Sequence, residues 1–126
     1  MKNKKILVID DEEDIQDVAL VALEVVGGWE VITADSGSEG LHLAVTEQPD
    51  AILLDVMMPD LDGIATLEQL KANPVTQKIP VIFLTAKVQS GDRDRFAQLD
   101  IVDVIAKPFK TMSLSPKVSA ILGWED

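Results

Sequence analysis

Cysteine is absent from this chain, which removes disulfides, zinc–thiolate sites and a cysteine nucleophile together. Histidine occurs once, at position 42. With no second histidine or cysteine to join it, His42 makes no transition-metal site. It follows core-facing Leu41 on a predicted helix and is expected to face water. Positive charge is scarce: 11 Lys and Arg stand against 22 Asp and Glu, a net charge of −11. Nucleic acid and anionic membrane surfaces demand a basic face, so neither is expected as a direct partner. Long hydrophobic runs are missing as well. MKNKK has the charge of a signal n-region, but only four apolar residues follow it before acids begin. That falls short of the about 7–15 of an h-region and the roughly 20 of a membrane span. A cytoplasmic location is therefore expected. No linker, internal repeat or low-complexity tract interrupts the chain, so residues 1–126 read as one domain.

What the chain does have is 47% hydrophobic residues, concentrated in short runs. Five stand out: Ile6–Ile9 (ILVI), Val31–Ala34 (VITA), Ala51–Leu54 (AILL), Val81–Leu84 (VIFL) and Val104–Ala106 (VIA). Most are apolar at every position rather than alternating, the pattern of strands covered on both faces of a parallel sheet. Segments with helical spacing separate them. Ile15, Val18, Ala19, Ala22, Val25 and Val26 make one stripe, ended by Gly27-Gly28. Ser36 with Glu39 forms a capping box ahead of Leu41, Ala44 and Val45, a helix stopped before Pro49. Ile64, Leu67 and Leu70 make a third, ended by Asn73-Pro74. A fourth runs from about Ser90 to Leu99 and a fifth from Met112 to Leu122, closed by Gly123. Strand and helix thus alternate five times. Alternation of this kind predicts right-handed crossovers and a doubly wound, flavodoxin-like α/β sheet in the order 2-1-3-4-5, with five helices. Ligands of such sheets sit beyond the carboxyl ends of the strands, where strands one and three diverge.

At that edge the first residue to follow each of four runs is polar. Strand one is followed by Asp10 and Asp11, strand three by Asp55, strand four by Thr85, and strand five by Ala106-Lys107-Pro108-Phe109. Three carboxylates, a hydroxyl and an ammonium are therefore expected around one crevice. Crowded carboxylates repel, and a hard divalent cation relieves them; oxygen ligands with retained waters suit Mg²⁺. Such a cation, with Lys107, would neutralise a transferring phosphoryl group. Asp55 between those charges can serve as the nucleophile, and Thr85 can donate a hydrogen bond to the phosphoryl oxygens. The blander reading of Asp10 and Asp11 is a turn into a capped helix, and it is adequate for Glu12, Glu13 and Asp14. Asp60-Leu61-Asp62-Gly63 invites an EF-hand reading. With Gly63 as the sixth loop residue, however, position one is Met58 and position twelve Gln69, so two required carboxylates are missing. Pro59 and Gly63 are better read as shaping the entry to helix three.

These elements in this order resemble a response-regulator receiver domain of two-component signalling, over essentially the whole chain. The resemblance rests on Asp10-Asp11, on Asp55 within LLDVMMPDLDG, on Thr85-Ala86, and on Lys107-Pro108-Phe109. It implies that Asp55 accepts a phosphoryl group from a phosphohistidine on a sensor histidine kinase or a histidine phosphotransfer protein. It further implies that Asp11, Asp55 and the backbone carbonyl of Met57 bind Mg²⁺, with Asp10 acting mainly through water. Lys107 would pair with the phosphoryl group, and the Lys107–Pro108 bond would be cis. The first helix is apolar nearly all the way round from Val18 to Leu23, which leaves Leu20, Val21 or Leu23 with no obvious core to face; it is either a deeply buried helix or, by the same resemblance, an apolar docking patch for the donor. The protein would catalyse only its own phosphorylation and dephosphorylation. With no output domain expected within the chain, its effect would come through altered protein binding, onward phosphotransfer, or as part of a longer regulator.

Three positions depart from the family pattern. Val104 stands where receivers commonly carry a Tyr or Phe that swings inward, so that form of signalling cannot operate. Asp100 replaces a glycine often found ahead of strand five. Met57, two beyond the acceptor, has no side-chain group to orient water, which predicts slow hydrolysis of the acyl phosphate. Two other functions compete with the leading one. A degenerate receiver acting only as a protein-binding module is kept alive by Val104 and opposed by the intact set of Asp10, Asp11, Asp55, Thr85 and Lys107. A haloacid dehalogenase-like phosphatase would need a second Asp two positions after the nucleophile on strand one, where this chain has Glu12.

Overall fold

A computed structural model describes residues 4–56, 63–85, 99–107 and 109–124. Within them β1 (Lys5–Ile9) leads into α1 (Glu13–Leu20), which continues as a π-helical turn (Val21–Val26). There follow β2 (Glu30–Ala34), α2 (Gly37–Glu47), β3 (Ala51–Asp55), α3 (Gly63–Ala72), β4 (Val81–Thr85), β5 (Asp103–Ala106) and α4 (Thr111–Leu122). The sheet is five-stranded in the order β2-β1-β3-β4-β5, parallel at every pairing. The predicted strands, order and fold class are thus all present. The fourth helix predicted from about Ser90 to Leu99 lies, but for Leu99, outside the described residues, so α4 here is the fifth predicted helix.

Why the strands are apolar at every position follows from the pleat, which sends successive side chains to opposite faces. Leu7, Ile9, Ile52, Leu54, Val81 and Phe83 join a core with Ala44, Leu67 and Leu70 of α2 and α3. The residues between them, Ile6, Val8, Leu53, Ile82, Leu84 and Ile105, join a second core with α1, the π turn and α4. Each face has its own helices, so neither parity can be polar. The capping box at α2 forms as predicted. Ser36 Oγ accepts from the Glu39 N–H at 3.1 Å, and Glu39 Oε1 accepts from the Asp35 N–H at 2.8 Å.

One helix face needs correction. Val25 was expected on the buried stripe and is 73% exposed, while Leu23, expected to lack a core, is fully buried. The π turn is the reason. Its wider winding advances each residue by less than a regular helix does, so the stripe rotates: Ala22 and Leu23 turn in, and Val21, Val25 and Val26 turn out. The first helix is therefore neither wholly buried nor apolar all round; its exposed residues are the acids Glu13, Asp14, Asp17 and Glu24, with three valines, Val21, Val25 and Val26, at its C-terminal end.

Candidate functional site

The pleat that divides the cores also aims the site residues. Asp10 shares the alternation of Val8, Asp55 that of Leu53, and Lys107 that of Ile105, and all three of those apolar residues lie on the α1/α4 face. Register brings the ends level. Ile9 pairs with Leu54, and Asp55 with Leu84, which pairs with Ile105. Three positions separated by about a hundred residues of chain are thus delivered to one corner. Backbone bonds seal the rim: the Asp10 N–H donates to Ala34 O at 3.0 Å, Val56 N–H to Leu84 O at 3.1 Å, and Lys107 N–H to Thr85 O at 2.8 Å.

Lys107 Nζ is the centre of the cluster. It lies 2.7 Å from Asp10 Oδ2, 3.3 Å from Asp55 Oδ1 and 3.4 Å from Glu12 Oε1, with its side chain 7% exposed. Asp10 is fully buried and Asp55 nearly so. Burial raises the Asp10 pKa above the usual carboxylate value, and the neighbouring Lys107 and the Glu12 N–H offset that only in part. For Lys107, burial pulls the pKa down, but Asp10 and Asp55 together outweigh it and raise the value above that of a free lysine. Asp10 Oδ1 accepts from the Glu12 N–H at 2.9 Å. Oδ2 is buried without a well-aligned hydrogen bond, so the ammonium beside it compensates it by charge rather than by direction.

That under-coordinated oxygen belongs to a set suited to a cation. Asp10, Asp11 and Asp55 each offer a carboxylate oxygen, and these lie within 4.8 Å of one another. Opposed ligands of Mg²⁺, at about 2.1 Å each, stand about 4.2 Å apart, so small side-chain rotations close the gap. An all-oxygen set with one exposed member, Asp11, fits a hard ion that keeps water; it does not fit zinc or copper. The carbonyl of Met57 lies outside the described residues, as do Pro59, Asp60, Leu61, Asp62, Ala86 and Pro108 with its predicted cis bond. Gly63, at the far end of that segment, is described. A Cβ there would stand 2.5 Å from Asp55 O and 2.6 Å from Val56 Cα, so only glycine lets α3 start against the end of β3.

The remaining expected residues are placed as follows. Thr85 ends β4, buried, on the parity of Phe83 rather than that of Asp55, and its carbonyl holds the Lys107 backbone. Val104 is half-buried against the α2/α3 core and pairs with Phe83, with no ring to swing. His42 is exposed, as expected. Asp100 is exposed and lies 4.0 Å from Lys71 Nζ. Glu12 does more than the helix-start acid that its sequence position predicts. It occupies the N-cap without capping, and its carboxylate reaches Lys107 instead. The signal available in the sequence was that Glu is a poor N-cap.

The profile of the response regulator receiver domain matches residues 6–119. The chain belongs to that family. Acceptance of a phosphoryl group is the general function of receiver domains. This receiver is 44% identical over 120 residues to the alkaline phosphatase synthesis transcriptional regulatory protein PhoP of Bacillus subtilis (strain 168), a match covering 95% of this chain and 49% of PhoP. The receiver thus spans about half the length of the curated relatives it matches. Among solved structures it resembles the N-terminal domain of a response regulator receiver protein from Methanoculleus marisnigri JR1. Identity there is 38% with a TM-score of 0.78, covering 98% of this chain and 100% of that one. It also resembles the receiver domain of the sensor histidine kinase PA1611 from Pseudomonas aeruginosa PAO1, solved with magnesium in its active site cleft. That match has 30% identity and a TM-score of 0.84, covering 97% and 99%. No described helix of the receiver is long and apolar enough to cross a membrane.

Proposed function

We propose that Asp55 is the phosphoryl acceptor, taking the group from a phosphohistidine on a sensor kinase or a histidine phosphotransfer protein. The observation that carries this reading is the 3.3 Å approach of the Lys107 ammonium to Asp55 Oδ1 inside a trio of carboxylates. An Asp55 oxygen attacks the phosphorus in line. The O–P bond forms as the N–P bond breaks, the electron pair returns to the imidazole, and a proton from solvent completes the leaving group. Lys107 neutralises the equatorial oxygens and is oriented for this by Asp10. Asp10, Asp11, Asp55 and the Met57 carbonyl are the residues that would hold Mg²⁺, Asp10 mainly through water, and the bound ion supplies further neutralisation of the phosphoryl oxygens. The Thr85 hydroxyl is assigned a hydrogen bond to the same group. Beyond its own phosphorylation and dephosphorylation the domain needs no substrate, and its output is altered protein binding or onward phosphotransfer in the cytoplasm.

Incubation with Mg²⁺ and acetyl phosphate, followed by intact mass, tests the reading. One phosphoryl adduct is expected in the wild type and none in Asp55→Asn. No adduct in either returns the protein to a binding-only role, and turnover of added phosphoesters returns it to a phosphatase.

A further inference from the structure

Lys107 has three N–H donors, and three carboxylates surround it. Two of these, Asp10 and Asp55, are buried at the strand ends. The third, Glu12, comes from the start of α1, 95 residues away in sequence, with its side chain 61% exposed. An acceptor site for a phosphoryl group gains from Asp10 and Asp55, as orienter and nucleophile. It gains nothing of that kind from Glu12. The Glu12 carboxylate lies 3.4 Å from the ammonium that an incoming dianion has to meet, and it carries the same sign of charge as that dianion. Nor does Glu12 hold its own helix in exchange, since its side chain accepts no bond from the α1 N-terminus.

Resting on the acceptor role of Asp55, we propose that Glu12 is a positioning residue that competes with the phosphoryl group for Lys107 and so restrains phosphorylation. In the free protein it occupies the outermost donor of the ammonium. Phosphoryl uptake requires that bond to open, and the exposed glutamate swings into water. The restraint is small, because an exposed ion pair is weak. It acts on every donor, whatever partner delivers it, and it acts most on the donor with the most negative charge.

The experiment compares the wild type, Glu12→Gln and Glu13→Gln with two small donors at saturating Mg²⁺. Glu13→Gln removes the same charge from the same turn and serves as the control for net charge. With acetyl phosphate, a dianion near neutral pH whose acetate leaves with the electron pair, Glu12→Gln should take up phosphoryl about two- to fivefold faster than wild type. Glu13→Gln should keep the wild-type rate. With phosphoramidate, which carries less negative charge, the gain should shrink. In magnesium-free protein the ¹⁵N resonance of the Lys107 ammonium should move in Glu12→Gln and stay in place in Glu13→Gln. A Glu12→Gln rate at or below that of Glu13→Gln, an equal gain with both donors, or an unmoved ammonium resonance overturns the competition while leaving Asp55 as acceptor. A wild type that accepts nothing from either donor defeats the acceptor assignment itself, and the competition with it.

Discussion

The charge balance at Lys107 has consequences that a single residue can report. Its pKa is raised by Asp10 and Asp55 in spite of burial. The stability this contributes is complete below the ordinary lysine value and is lost only as pH rises through the raised one, so Lys107 keeps its charge at neutral pH. Asp10 is also raised, which for an acid means that the folded state holds the proton more tightly than the unfolded chain does. Its contribution is therefore present at low pH and lost as pH rises from the usual carboxylate value through the raised one. Lys107→Met removes the compensating ammonium and leaves Asp10 buried beside Asp55. The variant should lose about 3 kcal/mol at pH 8 in denaturant titrations without Mg²⁺. At lower pH, in the direction that favours the neutral form of Asp10, the loss should be smaller. A loss independent of pH would mean that the lysine serves packing rather than charge.

Among the elements, α2 is held to β1 by an absence. A Cβ on Gly40 would stand 2.3 Å from Ile9 Cδ1 and 2.7 Å from its Cγ1. In an isolated helix Gly→Ala gains about 1 kcal/mol, while forcing a methyl into a filled core costs about 1–3 kcal/mol. Packing should win, and Gly40→Ala should unfold at lower denaturant; a stabilised variant would show that Ile9 relaxes freely. The sequence made the strands legible because a sheet covered on both faces leaves a nearly unbroken apolar run, and four of the five runs lead directly into a residue assigned to the site. Asp10, Asp55 and Lys107 were therefore visible. Two features were not. The π turn places Leu23 in and Val25 out through a local change of winding, and valine-rich segments such as ALVALEVV carry the same apolar pattern under either winding. Glu12 found Lys107 across 95 residues, and EEDI at a helix start offers only the hint that Glu is a poor N-cap, with nothing to say where its carboxylate goes instead.

At the scale of the whole molecule, 22 acids against 11 bases make the fold work against its own charge, and the strand ends concentrate that cost at one corner. A cation bound only by the folded state should repay part of it. Mg²⁺ at about a hundred times its dissociation constant should add about 2.7 kcal/mol, seen as a rise of several degrees in melting temperature. The rise should shrink as pH falls and Asp10 becomes protonated. A melting temperature indifferent to Mg²⁺ at neutral pH would show that the three carboxylates do not act as one site.

The acceptor role of Asp55 comes down to a single bond, that between phosphorus and an oxygen of its carboxylate. Reduction of the treated protein with borohydride converts an aspartyl phosphate to homoserine, and peptide sequencing by mass then locates it. After incubation with acetyl phosphate, conversion is expected at position 55 alone, and only where Mg²⁺ was present. Conversion at Asp10, Asp11 or any other acid, or at position 55 with equal yield in the presence of chelator, would contradict it.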